Sequence, residues 1–230
     1  RPAVAQEPLS PEESELLALV EQEDDGAVRP LARRQRTCGL DDRGDAGFYR
    51  VSNRVAPHNL YGTTADFLAQ TDADAPPQQF EYAYPVEESN VVTGGETASE
   101  IDIYMSQYSA PSWEWDGDTW LRFDGGTPHV QDDDTQLYAD NVIVLRVDVE
   151  YTGRSGGSSV PETMLAGRDG TGFAVVGDAY QEITWSKAGQ FDPYVLKNTD
   201  DEVVQLIPGK TWVELVPQSG VSDNPTVNIS

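Results

Sequence analysis

The chain has 230 residues, enough for one large domain or two small ones, and a composition that is 38 % hydrophobic and 9 % aromatic excludes a disordered polymer. No apolar run approaches the roughly 20 residues that cross a bilayer as a helix, and a single cysteine, Cys38, excludes an intramolecular disulfide framework and a Cys-rich zinc site. Forty acidic against 15 basic residues give a net charge of −25, which repels polyphosphate. Nucleic acid is therefore set aside as a partner, the basic cluster Arg29, Arg33, Arg34 and Arg36 being short and free of interleaved aromatics.

The first nine residues read as extended. Ser10-Pro11-Glu12-Glu13 then opens a helix: Ser10 can cap it, Pro11 suits the first helical position, and Leu16, Leu17, Leu19 and Val20 give it an apolar stripe. Residues 30–37 read as a second, basic helix. Neither piece makes a self-sufficient bundle, so the first 45 residues are expected to pack on something else. Phe48 to Val51 reads as a short strand, and Thr63 or Thr64 can cap a helix that runs through Leu68. Polar residues 71–79 form a loop, and the Gly94-Gly95 turn places a domain boundary near 98.

From residue 99 the pattern changes to strands. Ile101, Ile103 and Met105 alternate with polar neighbours, as do Trp113 and Trp115. Asp116-Gly117-Asp118 then separates them from Trp120, Leu121 and Phe123, a hairpin signal because glycine tolerates positive φ. Asn141 to Tyr151 is the strongest strand, β-branched and nearly continuous. Short strands are predicted at 162–166, 172–177, 181–186, 193–197, 203–207 and 211–216, spaced as in an antiparallel β domain. The fold class that follows is α+β: a smaller helix-containing part over 1–98, a predominantly antiparallel β domain over 99–217, and a polar tail over 218–230 expected to fray.

Several stretches together carry a resemblance to a known family. They are Phe123 through Pro128-His129, Thr135-Gln136-Leu137, and Ala139-Asp140-Asn141-Val142-Ile143-Val144. Further on come Gly172-Phe173-Ala174, Thr184-Trp185-Ser186-Lys187 and Pro208-Gly209-Lys210-Thr211-Trp212-Val213. The segment from Ile103 to Pro217 resembles the C-terminal region of the bacterial YerB-like family, lipoproteins of unknown function. Phe48-Tyr49-Arg50 and Ala56-Pro57-His58-Asn59-Leu60-Tyr61 resemble the end of that family's N-terminal region. The Gly-Pro-Val-Arg-Ser-type and Glu-Gly-Gly segments usual in that region are not recognisable here. The resemblance implies an extracytoplasmic location, secreted or tethered to the envelope through a lipid anchor outside this chain. It also implies that the missing N-terminal portion of the family domain packs against residues 1–98. It brings no catalytic residues.

Candidate sites follow from residue chemistry. His58 and His129 each follow a proline; either can act as a base or ligand, although an isolated histidine more often fills a turn. Asp116, Asp118, Asp132 and Asp134 crowd one stretch and are calcium candidates, but the stretch lacks the spaced acids and distal Glu of a calcium loop. Cys38 sits beside Arg36 without a positioned base. Trp113, Trp115 and Trp120 alternate on a hairpin, where one face belongs to a core and the other can stack on sugars or a protein. Lys187 reads as a structural ion pair. The expected function is a non-catalytic binding or scaffold module for an envelope protein or a cell-wall glycan, through Trp113, Trp115, Trp120, His129 and His58. Two other readings stay open: an envelope hydrolase or transferase using His58 or His129 with an acidic partner, and a calcium-stabilised structural domain. No other cofactor is expected.

Overall fold

The computed structural model describes residues 47–56, 59–70, 77–153, 159–219 and 224–230. The chain divides into two compact units, Arg1–Ala73 and Asp74–Ser230. In the first, strand β1 (Phe48–Arg50) pairs antiparallel with β2 (Leu60–Gly62). Phe67, on the helix Thr64–Leu68, packs its ring 4.8 Å from that of Phe48. Thr63 occupies the N-cap position in an extended conformation, but its hydroxyl does not cap the helix. The helices expected before residue 40 lie outside the described residues.

The second unit is built on β10 (Asn141–Gly153). β10 pairs antiparallel with β11 (Ser159–Met164) over Asp148–Gly153, and one edge of β10 takes β12 (Arg168–Val176), also antiparallel, over Asn141–Leu145. Its other edge takes β16 (Thr211–Ser219) in parallel, with Asn141 opposite Thr211 and Leu145 opposite Leu215. Strands β13 (Ala179–Lys187) and β14 (Tyr194–Lys197) extend the sheet beyond β12. A second sheet runs β17 (Thr226–Ile229), β5 (Glu100–Tyr104), β6 (Pro111–Trp115), β7 (Trp120–Asp124), with β8 (Thr127–Pro128) and β9 (Tyr138–Ala139) sharing the far edge of β7.

The continuous apolar run of β10 now has its reason. Val142 and Val144 pack toward the second sheet, with Ile101, Ile103, Trp113, Trp120, Val175 and Val216. Ile143, Leu145 and Val147 face the opposite core, with Val91, Ala174, Val176, Ile183, Trp185, Leu196, Val204 and Leu206. A strand buried on both faces has no position for polar alternation. The second core is closed by Val91 on the short helix Asn90–Gly94 and by a parallel pair, β3 (Glu81–Tyr82) with β15 (Gln205–Leu206).

Asn141 fixes the parallel neighbour of β10. Its amide nitrogen donates to the Ile207 carbonyl at 2.9 Å and to the Thr211 hydroxyl at 3.1 Å. Its amide oxygen accepts from the Ile207 N–H at 3.1 Å. Asp140 completes the clamp by accepting from the Lys210 N–H at 2.6 Å. Gly209 is required there: its φ is +148°, and a Cβ would sit 2.4 Å from the Asp140 carboxylate.

The Asp116–Thr119 turn joins β6 to β7 as a hairpin, with Gly117 at φ +104°. The Asp116 carboxylate accepts the N–H groups of Thr119 at 2.8 Å and Asp118 at 2.9 Å. These two bonds, that from Thr119 first, hold its carboxyl below the usual aspartate range.

Two expectations are corrected. The compact units divide at 73/74, not near 98. Glu96–Thr97 (β4) pairs with β13, and the Ala98 N–H donates to the Asp178 carbonyl at 2.8 Å, so 77–98 belongs to the second unit. Of the tail over 218–230, expected to fray, the described residues 224–230 are held in place. Thr226 to Ile229 pairs with β5, Val227 and Ile229 pack on the core, and the Ser230 carbonyl accepts from Ser99 and Glu100. The expected, predominantly antiparallel β domain is observed, with β10–β16 and β3–β15 as its parallel pairs.

Replacing Asn141 with leucine strands the Ile207 N–H in a buried site. The expected loss is about 2–4 kcal/mol, from one orphaned donor and two lost acceptor contacts. It should be read as a lower denaturation midpoint with an unchanged m-value. The Asp116 bonds contribute stability above the unfolded-state pKa of about 3.9, and that contribution is lost as pH falls through the lower folded value. An Asp116→Ala variant should therefore show a smaller drop in Tm below about pH 4 than the parent chain; equal acid slopes would exclude this role.

Candidate binding site

The residues singled out from sequence are not gathered at one surface. Trp113 and Trp120 are fully buried. Their indole N–H groups are also spent, on Glu214 at 3.2 Å and on the Gly177 carbonyl at 2.7 Å. Trp115 is half-buried against Trp120, ring centres 5.5 Å apart. The cause is register: Trp113 opposes Arg122 and Trp115 opposes Trp120, so all four side chains share the inward face of the hairpin. Trp113 and Trp120 are core, and neither offers a ring to a ligand. Asp116 and Asp118 lie in the hairpin turn. Asp132 and Asp134 lie in the loop closed by the Val130–Gln136 bridge, where Asp133 accepts from the Thr135 N–H at 3.0 Å. Among the described residues, no three His, Cys, Asp or Glu side chains come together to hold a metal. His58 and Cys38 lie outside the described residues.

His129 joins a cluster that sequence reading missed. Arg122 and Glu214 are both buried, and Arg122 Nε lies 3.4 Å from Glu214 Oε1, the oxygen that also accepts from Trp113. The guanidinium lies over the Trp212 ring at 4.9 Å and the Trp113 ring at 5.8 Å. Its Nη1 donates to His129 Nδ1 at 2.5 Å. The backbone locks the histidine as well: its N–H donates to the Arg122 carbonyl at 3.0 Å, and its carbonyl accepts from Leu137 at 2.8 Å. This cluster bolts the second sheet to β16. A signal was available: Arg122 alternates with Trp120, and Glu214 with Trp212 and Val216, which puts two opposite charges in inward phase.

The opposite core carries a groove of about 380 Å³, lined by Gln78, Gln79, Phe80, Glu81, Tyr194 and Gln205 among others. Segment 78–81 is held beside β14 by the Tyr194 N–H, which donates to the Gln79 carbonyl at 3.2 Å. Phe80 and Tyr194 stack at 5.6 Å with their planes 15° apart. Burial raises the Tyr194 hydroxyl pKa. Beneath this pair lies Lys187, buried, with Nζ 4.5 Å from the Tyr194 ring centre. It donates to Gln79 Oε1 at 3.2 Å and to the Asp192 carbonyl. The expected ion pair at Lys187 is thus replaced by an amide, a carbonyl and a ring. The Gln205 side-chain amide has no hydrogen-bond partner among the described residues, while its backbone N–H donates to Asn90 at 3.0 Å. A smaller hollow of about 250 Å³ lies elsewhere, along β12 and β13 beside Arg146.

These features define a two-sheet, β-rich domain with a sealed polar cluster between its sheets and an open groove on its outer core. Residues 101–213, just under half of the chain, match the family described as "Protein of unknown function (DUF3048) C-terminal domain". Among solved structures it is similar to the YerB protein from Bacillus subtilis, with a TM-score of 0.57 at 16 % identity, a likeness of fold. The alignment covers 79 % of this chain and 59 % of YerB, so the chain spans less than two thirds of that protein. No curated protein matches the chain. The motif residues behind the resemblance are explained by structure: Asp140, Asn141 and Gly209 form the clamp, and Trp185 donates to the Arg146 carbonyl at 3.1 Å.

Glu214→Ala leaves Arg122 buried beside two indoles without its countercharge, and should cost about 3–5 kcal/mol in unfolding free energy. An Arg122→Met/Glu214→Met double variant should recover most of that loss in denaturant titrations. A double variant as unstable as Glu214→Ala would show that packing, not charge pairing, dominates the cluster.

Proposed function

We propose that this chain is a non-catalytic binding module of the bacterial cell envelope, working outside the cytoplasm and engaging its partner through the groove. The observation that carries the reading is the groove itself: a preformed concavity floored by the Phe80–Tyr194 stack and rimmed by carboxamides. Ligand sites combine an apolar floor with a few polar groups that fix orientation, in volumes of about 300–1,000 Å³. The kinship with YerB-like proteins and the Asp-rich, Lys-poor composition support an extracytoplasmic setting. In this reading the buried tryptophans and His129 support the scaffold rather than the contact, since their polar atoms are committed within it.

The test is retention of envelope components, both proteins and solubilised wall glycans, on the immobilised chain. A Val195→Glu/Gln205→Glu variant with an unchanged Tm serves as the comparison. Val195 lines the groove and is exposed, so the charge enters it without disturbing the core. A component held by the parent chain and reduced at least about tenfold by the variant, or about 1.4 kcal/mol, supports the reading. Equal retention by both, or none by either, overturns it.

A further inference from the structure

We infer that the groove takes a neutral oligosaccharide, binding about one or two sugar rings at the Phe80–Tyr194 end; this inference rests on the binding-module reading above. Three observations select that chemistry. The first is the match of polar groups. Carboxamides both donate and accept, as sugar hydroxyls do, and the lining sets Gln78 and Gln205 beside one aromatic pair, the Gln79 amide being spent on the Pro77 carbonyl at 2.9 Å and on Lys187. Among the described residues, the Gln205 side-chain amide has no hydrogen-bond partner, and Gln78 uses its Nε2, on the Phe80 carbonyl at 2.7 Å. The half-buried Phe80 and Tyr194 rings line the groove with apolar surface of the kind that the C–H side of a pyranose packs against.

The second observation is charge. Among the described residues, Glu81 is the acid of the lining, and no lysine or arginine lines the groove. The nearby cation, Lys187, is buried beneath Tyr194 with its Nζ committed to Gln79, Asp192 and the ring. In a chain of net charge −25, a uronic acid or phosphate polymer is repelled at such a site, whereas an uncharged polyol is not.

The third observation disfavours a peptide. Strand addition needs a free row of backbone donors and acceptors. The outer edge of β14 is already taken, by the Tyr194 N–H on Gln79, the Val204 N–H on the Leu196 carbonyl at 2.9 Å, and the Lys197–Val203 bridge.

Saturation-transfer NMR tests the inference on the full chain, using cellotriose, maltotriose and chitotriose as neutral probes and trigalacturonate as the anionic one. The comparison is a Gln78→Ala/Gln205→Ala variant with an unchanged Tm. At least one neutral trisaccharide should bind, and the variant should weaken it about tenfold or more, with trigalacturonate giving no transfer. Binding of trigalacturonate as strong as that of the neutral probes overturns the inference. So does neutral binding that the variant leaves unchanged, or no transfer from any sugar. If no sugar binds while the Val195→Glu/Gln205→Glu variant still loses an envelope protein, the ligand class is wrong and the module reading stands. If both measurements are negative, both fall.

Discussion

The second unit depends on one side chain, the Asn141 amide. Parallel pairing of β10 and β16 joins residues far apart in sequence, and no tight turn sets its register. Asn141 does so through both ends of its amide, gripping Ile207 and Thr211. With that register, Trp212, Glu214 and Val216 face the second sheet, while Val213 and Leu215 face the other core. A slip of one residue would exchange the two sets. Glu214 would then enter an apolar core without Arg122, and Arg122 would lose its countercharge. The polar clamp at the start of the strand therefore protects the ion pair three residues further on.

Burial on both faces follows from the same arrangement. β10 lies between two cores, so its neighbours need not be amphipathic in the same sense. The second sheet covers one face with hairpins that are local in sequence. The other face is covered by pieces from distant places: residues 80–82, the helix Asn90–Gly94, and Gln205–Leu206. The groove lies among those pieces, where small elements meet the edge of a large sheet and leave space that side chains do not fill.

Much of the fold was legible because its signals are local. The hairpin at Asp116–Thr119 and the strands expected over 141–151, 172–177 and 181–186, observed as 141–153, 168–176 and 179–187, announce themselves by alternation, by β-branched runs and by turn residues. The β17 strand was missed because four residues, Thr226-Val227-Asn228-Ile229, give a weak periodic signal and gain their stability by covering β5. The boundary near 98 was misplaced because Gly94-Gly95 reads as a linker, whereas Gly95 packs tightly against the Tyr180 backbone. The site was less legible. Aromatic alternation identified the hairpin tryptophans but could not tell which face lay inward. The groove residues look unremarkable in sequence: Gln78, Phe80, Tyr194 and Gln205 come together only through the third dimension.

The ion pair between Arg122 and Glu214 also bears on how the chain reaches this state. Its partners are 92 residues apart, and Asn141 and Ile207 are 66 apart. Contacts of such sequence separation close large loops, and their entropy must be met before the contacts reward it. The hairpin β6–β7 can form on its own, but it carries an unpaired arginine until β16 arrives. The protein is thus assembled from fast local pieces that a slow, distant strand joins late, and an interval of exposed tryptophan and unmatched charge belongs to its folding route.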